Sequence, residues 1–180
     1  MGYIKHRQGE HESSLVDRVQ DAADSGRVEC LAVVVNSIDR LVHGVGPEGN
    51  VLSAAVRQWA ENGHIVSLLH CLVERGFDVA VCSDHGNVEA VGVGRPDLGS
   101  VPEDQGQRAI TFPDVGTLEA ARKRVAGSQP WPGPGLPSSA HVLLPPGRGS
   151  FSTAGATVRT HGGTSIEEVF VPFVRVSRST

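Results

Sequence analysis

Phe77-Asp78-Val79-Ala80-Val81-Cys82-Ser83-Asp84-His85-Gly86 is the stretch from which the fold is read. Val79 to Cys82 are apolar without interruption, the pattern of a parallel strand covered on both faces. Polarity then changes abruptly to Ser83-Asp84-His85-Gly86. Ligands of open α/β sheets bind beyond the carboxyl ends of the strands. A carboxylate and an imidazole placed there can reach one cation. Taken alone, the pair fits equally well a strand-to-loop turn in which Asp84 caps the next element.

Working outward, Cys30-Leu31-Ala32-Val33-Val34-Val35 repeats the pattern and predicts a second inner strand, parallel to the first. It runs into Asn36-Ser37-Ile38-Asp39-Arg40-Leu41-Val42-His43. Asp39 and His43 are four apart, so one turn of helix sets them on one face, able to grip one ion. Between the two strands, Val51 to about Arg75 reads as a helical region with Trp59, Leu68, Leu69, Leu72 and Val73 inward, and Asn62-Gly63 as a bend or break. As a crossover it would be right-handed.

The 180 residues suffice for one domain with a core. The net charge of −4 gives no global reason for nucleic-acid binding, while leaving room for a local basic groove. Cys30, Cys71 and Cys82 have no Cys-x-x-Cys spacing and read as small buried hydrophobes in a reducing compartment. No stretch is long and apolar enough to span a membrane, and the N-terminus lacks a signal-peptide core, which predicts a cytoplasmic protein without membrane partners.

Met1 to about Glu12 is polar without clear periodicity, and His6 and His11 receive no role. A helix capped by Ser13 or Ser14 follows, to about Asp24. After Gly86 come an alternating arm (Val88 to Gly94), a strand over Arg108 to Phe112, a helix over Thr117 to Val125 and a strand over Ala140 to Leu144. Residues 95–150 therefore read as a rim insertion. Thr160-His161-Gly162-Gly163-Thr164-Ser165-Ile166-Glu167-Glu168 sets a histidine and two glycines before a helix capped by Thr164 or Ser165. Val171 to Val176 reads as a last strand, with Pro172 at an edge or a strand start.

The segments around Asp39 and His43, around Asp84 and His85, and His161-Gly162-Gly163-Thr164-Ser165-Ile166-Glu167-Glu168-Val169-Phe170-Val171-Pro172-Phe173 resemble, in order and spacing, the alkaline phosphatase superfamily. The closing segment is similar to the PglZ family of phage-growth-limitation and BREX defence systems. Gly106-Gln107-Arg108-Ala109 and Gly147-Arg148-Gly149-Ser150-Phe151 resemble that family too. The resemblance implies an α/β fold with a mostly parallel sheet, helices on both faces and a partial alkaline-phosphatase-like core. It implies two divalent ions, zinc or else manganese: Asp39, His43 and His161 on one, Asp84 and His85 on the other. It further implies hydrolysis of a phosphate ester, with a nucleic-acid substrate possible if the pocket admits a chain, and other defence-system proteins as partners.

The family pattern begins with a strand ending in a metal-binding aspartate followed by a Ser or Thr nucleophile. Neither is assignable here, so residues 1–180 are expected to form the C-terminal part of such a domain. The alternative to a phosphohydrolase is a non-catalytic, metal-binding scaffold subunit of a defence complex.

Overall fold

A computed structural model describes residues 1–44, 49–96, 107–133 and 135–178. The chain divides into two compact units, Met1–Cys82 with Pro172–Thr180, and Ser83–Val171.

The first unit runs β1 (Gly2–Lys5), α1 (Glu12–Asp24), β2 (Leu31–Val34), α2 (Ser37–Gly44), α3 (Gly49–Glu61), α4 (His64–Glu74) and β3 (Val79–Cys82). The second holds β4 (Val88–Gly92), β5 (Ile110–Phe112), α5 (Val115–Arg124), β6 (Gln129–Pro130), β7 (His141–Leu144), β8 (Gly149–Ser150), β9 (Thr157–Thr160) and α6 (Ile166–Val169). The chain then returns to the first unit as β10 (Phe173–Val176), starting directly after Pro172, whose missing N–H suits a strand start.

In the first unit, the predicted helices form because their apolar residues recur at helical spacing. Leu15 and Val19 of α1 meet Leu68 and Leu72 of α4 around Ile4 of β1. The region over 51–75 is two helices, broken at Gly63, which takes the left-handed φ of +78° that a side-chain-bearing residue resists. The second unit has its own core of Phe112, Leu118, Ala121, Val125, Leu143 and Phe151.

The expected mostly parallel sheet is not what the described strands form. β1 and β2 pair in parallel, as do β4 and β8, but β3–β10, β4–β9, β5–β7 and β6–β7 are antiparallel. Nor do Leu31–Val34 and Val79–Cys82 share hydrogen bonds, since β2 pairs with β1 and β3 with β10. The physical reason lies in burial. An unbroken apolar run predicts a strand covered on both faces, yet β3 alternates, with Ala80 and Cys82 exposed. Among the cysteines only Cys71 is buried, and burial pushes its thiol pKa up, while Cys30 and Cys82 are exposed.

β1 was not predicted. Only Ile4 of its four residues is buried, so it carries too little pattern to read.

Candidate functional site

β4 and β9 are antiparallel neighbours, with Val88 opposite Thr160. The next pair outward is Asn87 with His161, and His161 Nδ1 lies 3.4 Å from Asn87 Oδ1. His85, two residues before Asn87, is the diagonal neighbour. Its ring stacks on that of His161, with centroids 3.7 Å apart and planes inclined by 18°. The sheet register thus brings together two histidines far apart in sequence.

The His85 tautomer follows from its neighbour. His85 Nδ1 is 3.1 Å from the Gly86 carbonyl, which can only accept, so Nδ1 carries the proton and Nε2 the lone pair. The Asn87 Oδ1 acceptor faces His161 Nδ1 in the same way. An Nδ1–H tied to an oxygen is the arrangement that raises the ligand basicity of Nε2. Asp84 stands beside them, its side chain 90% exposed and Oδ1 3.7 Å from His85 Nε2. Asp84 Oδ1 also accepts the His85 backbone N–H at 3.1 Å.

The loop after β9 is held by a buried ion pair. Arg108 and Glu168 have side chains only 4% and 1% exposed. Arg108 donates from Nε to Glu168 Oε1 at 3.0 Å and from Nη2 to Oε2 at 2.9 Å. Its Nη1 donates to the carbonyls of Gly147, at 3.0 Å, and Gly149. Glu168 also accepts from Gly163 N (2.8 Å), Ser165 N (3.1 Å) and Ser165 Oγ (2.7 Å). The Ser165 backbone bond belongs to a capping box at the start of α6, with Ser165 as N-cap. Burial pushes the Glu168 carboxyl up, but the guanidinium, the hydroxyl and the two backbone N–H donors outweigh it and hold the pKa at about 2.

Two glycines make this packing possible. A Cβ on Gly163 would stand 2.9 Å from Arg108 Nε and Nη2 and from Glu168 Oε2. A Cβ on Gly86 would stand 1.9 Å from the Glu167 carbonyl oxygen, and Gly86 N donates to the Glu168 carbonyl at 2.9 Å. Arg148 also pairs with Glu167. The segments at 107–108, 147–151 and 161–168, together with Gly86, therefore close on one another around Arg108.

Of the predicted ligands, Asp84, His85 and His161 lie in this unit, with His85 and His161 in contact. Asp39 and His43 belong to the other unit, both on α2, with Asp39 exposed in its first turn. The His43 side chain lies outside the described residues. Among the described residues no three His, Cys, Asp or Glu side chains gather as a group that could hold one ion. By donor chemistry the residues present fit a borderline cation such as zinc, with imidazole Nε2 atoms and a neighbouring carboxylate.

Sequence reasoning missed a second polar centre, in the first unit. His6, directly after β1, is 1% exposed. Its Nε2 is 3.0 Å from the Glu10 carbonyl, so Nε2 carries the proton, and Nδ1 accepts from Arg40 Nη2 at 2.8 Å. Ser37 and Trp59 both donate to Glu12. A short strand in front of a histidine was the only signal available.

The comparison with curated proteins returns no match. The family model of the BREX system PglZ alkaline phosphatase-like domain matches residues 12–176 of the 180. That match takes in α1 through β10, the stacked histidines and the buried ion pair alike, and the chain belongs to the BREX system PglZ alkaline phosphatase-like domain family.

Proposed function

We propose that the chain serves as a metal-dependent phosphohydrolase domain of a phage-defence system, acting on a phosphate monoester or diester alongside other proteins of that system. The observation that carries this reading is the stacked His85–His161 pair, two imidazoles from distant parts of the chain brought into contact, each with Nδ1 facing an oxygen acceptor. His161 with Asp39 and His43 would hold one divalent ion, and Asp84 with His85 a second. Zinc suits imidazole and carboxylate donors, and manganese is the second choice. When bound, such ions polarise a phosphoryl group and stabilise its charge.

The chain's own residues contribute orientation. Asn87 and the Gly86 carbonyl face the Nδ1 atoms of the two imidazoles and orient the rings. Arg108 and Glu168 hold the 161–168 loop, and with it the backbone that carries His161. No helix among the described residues is long and apolar enough to cross a membrane.

The test is a calorimetric zinc and manganese titration beside hydrolysis assays of a phosphate monoester and a diester. Asp39→Ala, His85→Ala and His161→Ala are expected to weaken metal binding roughly ten-fold or more and to abolish metal-dependent turnover. Metal binding without turnover in the unaltered chain would favour the scaffold reading. Absence of both sinks the proposal.

A further inference from the structure

We propose that a cleft at the carboxyl ends of the parallel strands β1 and β2 binds a nucleoside phosphate, free or as the end of a nucleic-acid strand. This goes beyond the phosphohydrolase reading and does not rest on it, because no metal ligand is involved. The cleft is shallow and open to solvent, with a volume of about 610 Å³, and is lined by Tyr3, Lys5, His6, Arg7, Arg18 and Asn36 among others. That is the size range of small-ligand sites, and the ends of parallel strands are where such sites form.

Its charge selects an anion. Lys5, Arg7 and Arg18 line it, with no carboxylate in the lining. Glu10 lies against Arg18 at 2.8 Å, so that charge is offset. Lys5 and Arg7 are exposed and in no ion pair among the described residues, which leaves two uncompensated cations at one opening. A metal cation is repelled there.

Two further observations narrow the anion. Tyr3 stands two residues before Lys5, on the same face of β1, and is 65% exposed. An exposed ring beside cations is a stacking platform for a base whose phosphate the cations hold. Asn36 donates from Nδ2 to the His6 carbonyl at 3.2 Å, which fixes the amide orientation, and its Oδ1 is buried without a hydrogen-bond partner. An unsatisfied buried acceptor calls for a donor. A bare phosphate dianion offers none, whereas a nucleoside offers base N–H and sugar O–H groups.

The experiment measures equilibrium binding to the intact chain in EDTA, so that failure of metal-dependent turnover has no bearing on it. The probes are adenosine monophosphate, a labelled single-stranded oligothymidylate, inorganic phosphate and an oligoglutamate peptide. The nucleotide or the oligonucleotide should bind about ten-fold more tightly than inorganic phosphate. Whichever binds tells the free from the strand-borne ligand. Lys5→Ala and Arg7→Ala should each weaken binding several-fold, and for the oligonucleotide each should reduce the salt slope of log K by about 0.7. Tyr3→Ala should remove most of the preference for the nucleoside ligand over inorganic phosphate, leaving the part that Asn36 supplies. All three side chains are exposed, so the variants keep the fold. Equal binding of oligoglutamate or inorganic phosphate by the unaltered chain, affinities that ignore all three substitutions, or no binding of either nucleoside probe would each overturn the proposal.

Discussion

Asp39 and His43 owe their relation to one helix, whereas His85 and His161 owe theirs to a sheet. The first pair is four apart on α2, and helical geometry alone sets both residues on one face. The second pair meets because β4 and β9 are in register and because Arg108 and Glu168 close the loop after β9. A local pair needs little from the rest of the chain. A long-range pair is only as precise as the packing that holds it, and here that packing includes a buried charge and two glycines at which a Cβ would press on neighbouring atoms. The contrast predicts that damage to the clamp propagates to His161, while damage to a local contact stays where it is made.

Arg108→Ala should have the largest effect. It leaves Glu168 buried beside Gly163 and Ser165 without its guanidinium. Removing one partner of a buried ion pair costs about 3–5 kcal/mol. Urea denaturation should show that loss, and zinc affinity should fall with it. Arg108→Lys keeps the charge but loses the fork that spans both carboxylate oxygens, so it should recover only part of the stability. A chain as stable as wild type after Arg108→Ala would remove the clamp from the account of the site.

Acid sharpens the same comparison. The Glu168 pKa is depressed from 4.5 to about 2, so its folded state favours the carboxylate. The associated stability is fully present above about pH 4.5 and is lost as pH falls through about 2. The loss should approach about 3 kcal/mol. Glu168→Gln abolishes this titration, so the difference in stability between the two chains should shrink steadily as pH falls from 5 to 2. A constant difference would assign the acid sensitivity to other carboxylates.

Gly163→Ala probes packing without touching charge. Its Cβ would press on both members of the pair, at 2.9 Å. Overpacking of this kind costs about 1–3 kcal/mol. Because the intruding atom sits on the loop that carries His161, the imidazole NMR signals of His85 and His161 should shift together. Unmoved signals would show that the stacked rings are held independently of the clamp.

What the sequence disclosed follows the same division. Local pattern locates the helices, a break at Asn62-Gly63, the strands over 31–34 and 79–82, and a cap at Thr164 or Ser165, of which Ser165 is the one used, because each depends on a few neighbouring residues. The same pattern places the start of α1 too late, at Ser13 or Ser14, where the N-cap is His11. Strand partners were not legible. An apolar run such as Val79–Cys82 looks the same whether its neighbour is parallel or antiparallel, and the antiparallel neighbour β10 comes from the far end of the chain. The Arg108–Glu168 pair was half legible. Ser165-Ile166-Glu167-Glu168 announces a capping box, but nothing near Arg108 in sequence says that it answers Glu168. His6 is not legible, because a four-residue strand with one buried side chain gives no period to count. Of the five candidate ligands, spacing singled out Asp39 with His43 and Asp84 with His85, whereas His161 came only from the resemblance of its segment to a known family. The stacking of His85 on His161 depends on the β4–β9 register and had to be seen.

The smallest effect should come from the most local contact, the start of α5. Asp114 is its N-cap, extended at φ −152°, and its Oδ1 accepts the Thr117 backbone N–H at 2.8 Å. The Thr117 hydroxyl donates to Oδ2 at 2.5 Å. These bonds lower the carboxyl pKa, the hydroxyl contributing most. Asp114→Ala frees one backbone donor at an exposed helix end, where water replaces the lost acceptor. N-cap deletions of this type cost about 1 kcal/mol. Asp114→Asn keeps an acceptor oxygen in place and should restore most of the loss. Leu118 and Ala121, the buried face of α5, are untouched by either change, so the core beneath them should hold. The decisive readout is the pair of imidazole signals that Gly163→Ala is expected to move. With Asp114→Ala they should stay where they are, although the cap and the histidines share one compact unit. Movement of those signals would mean that a local cap is coupled to the His85–His161 stack, and that the line drawn between local and long-range contacts is in the wrong place.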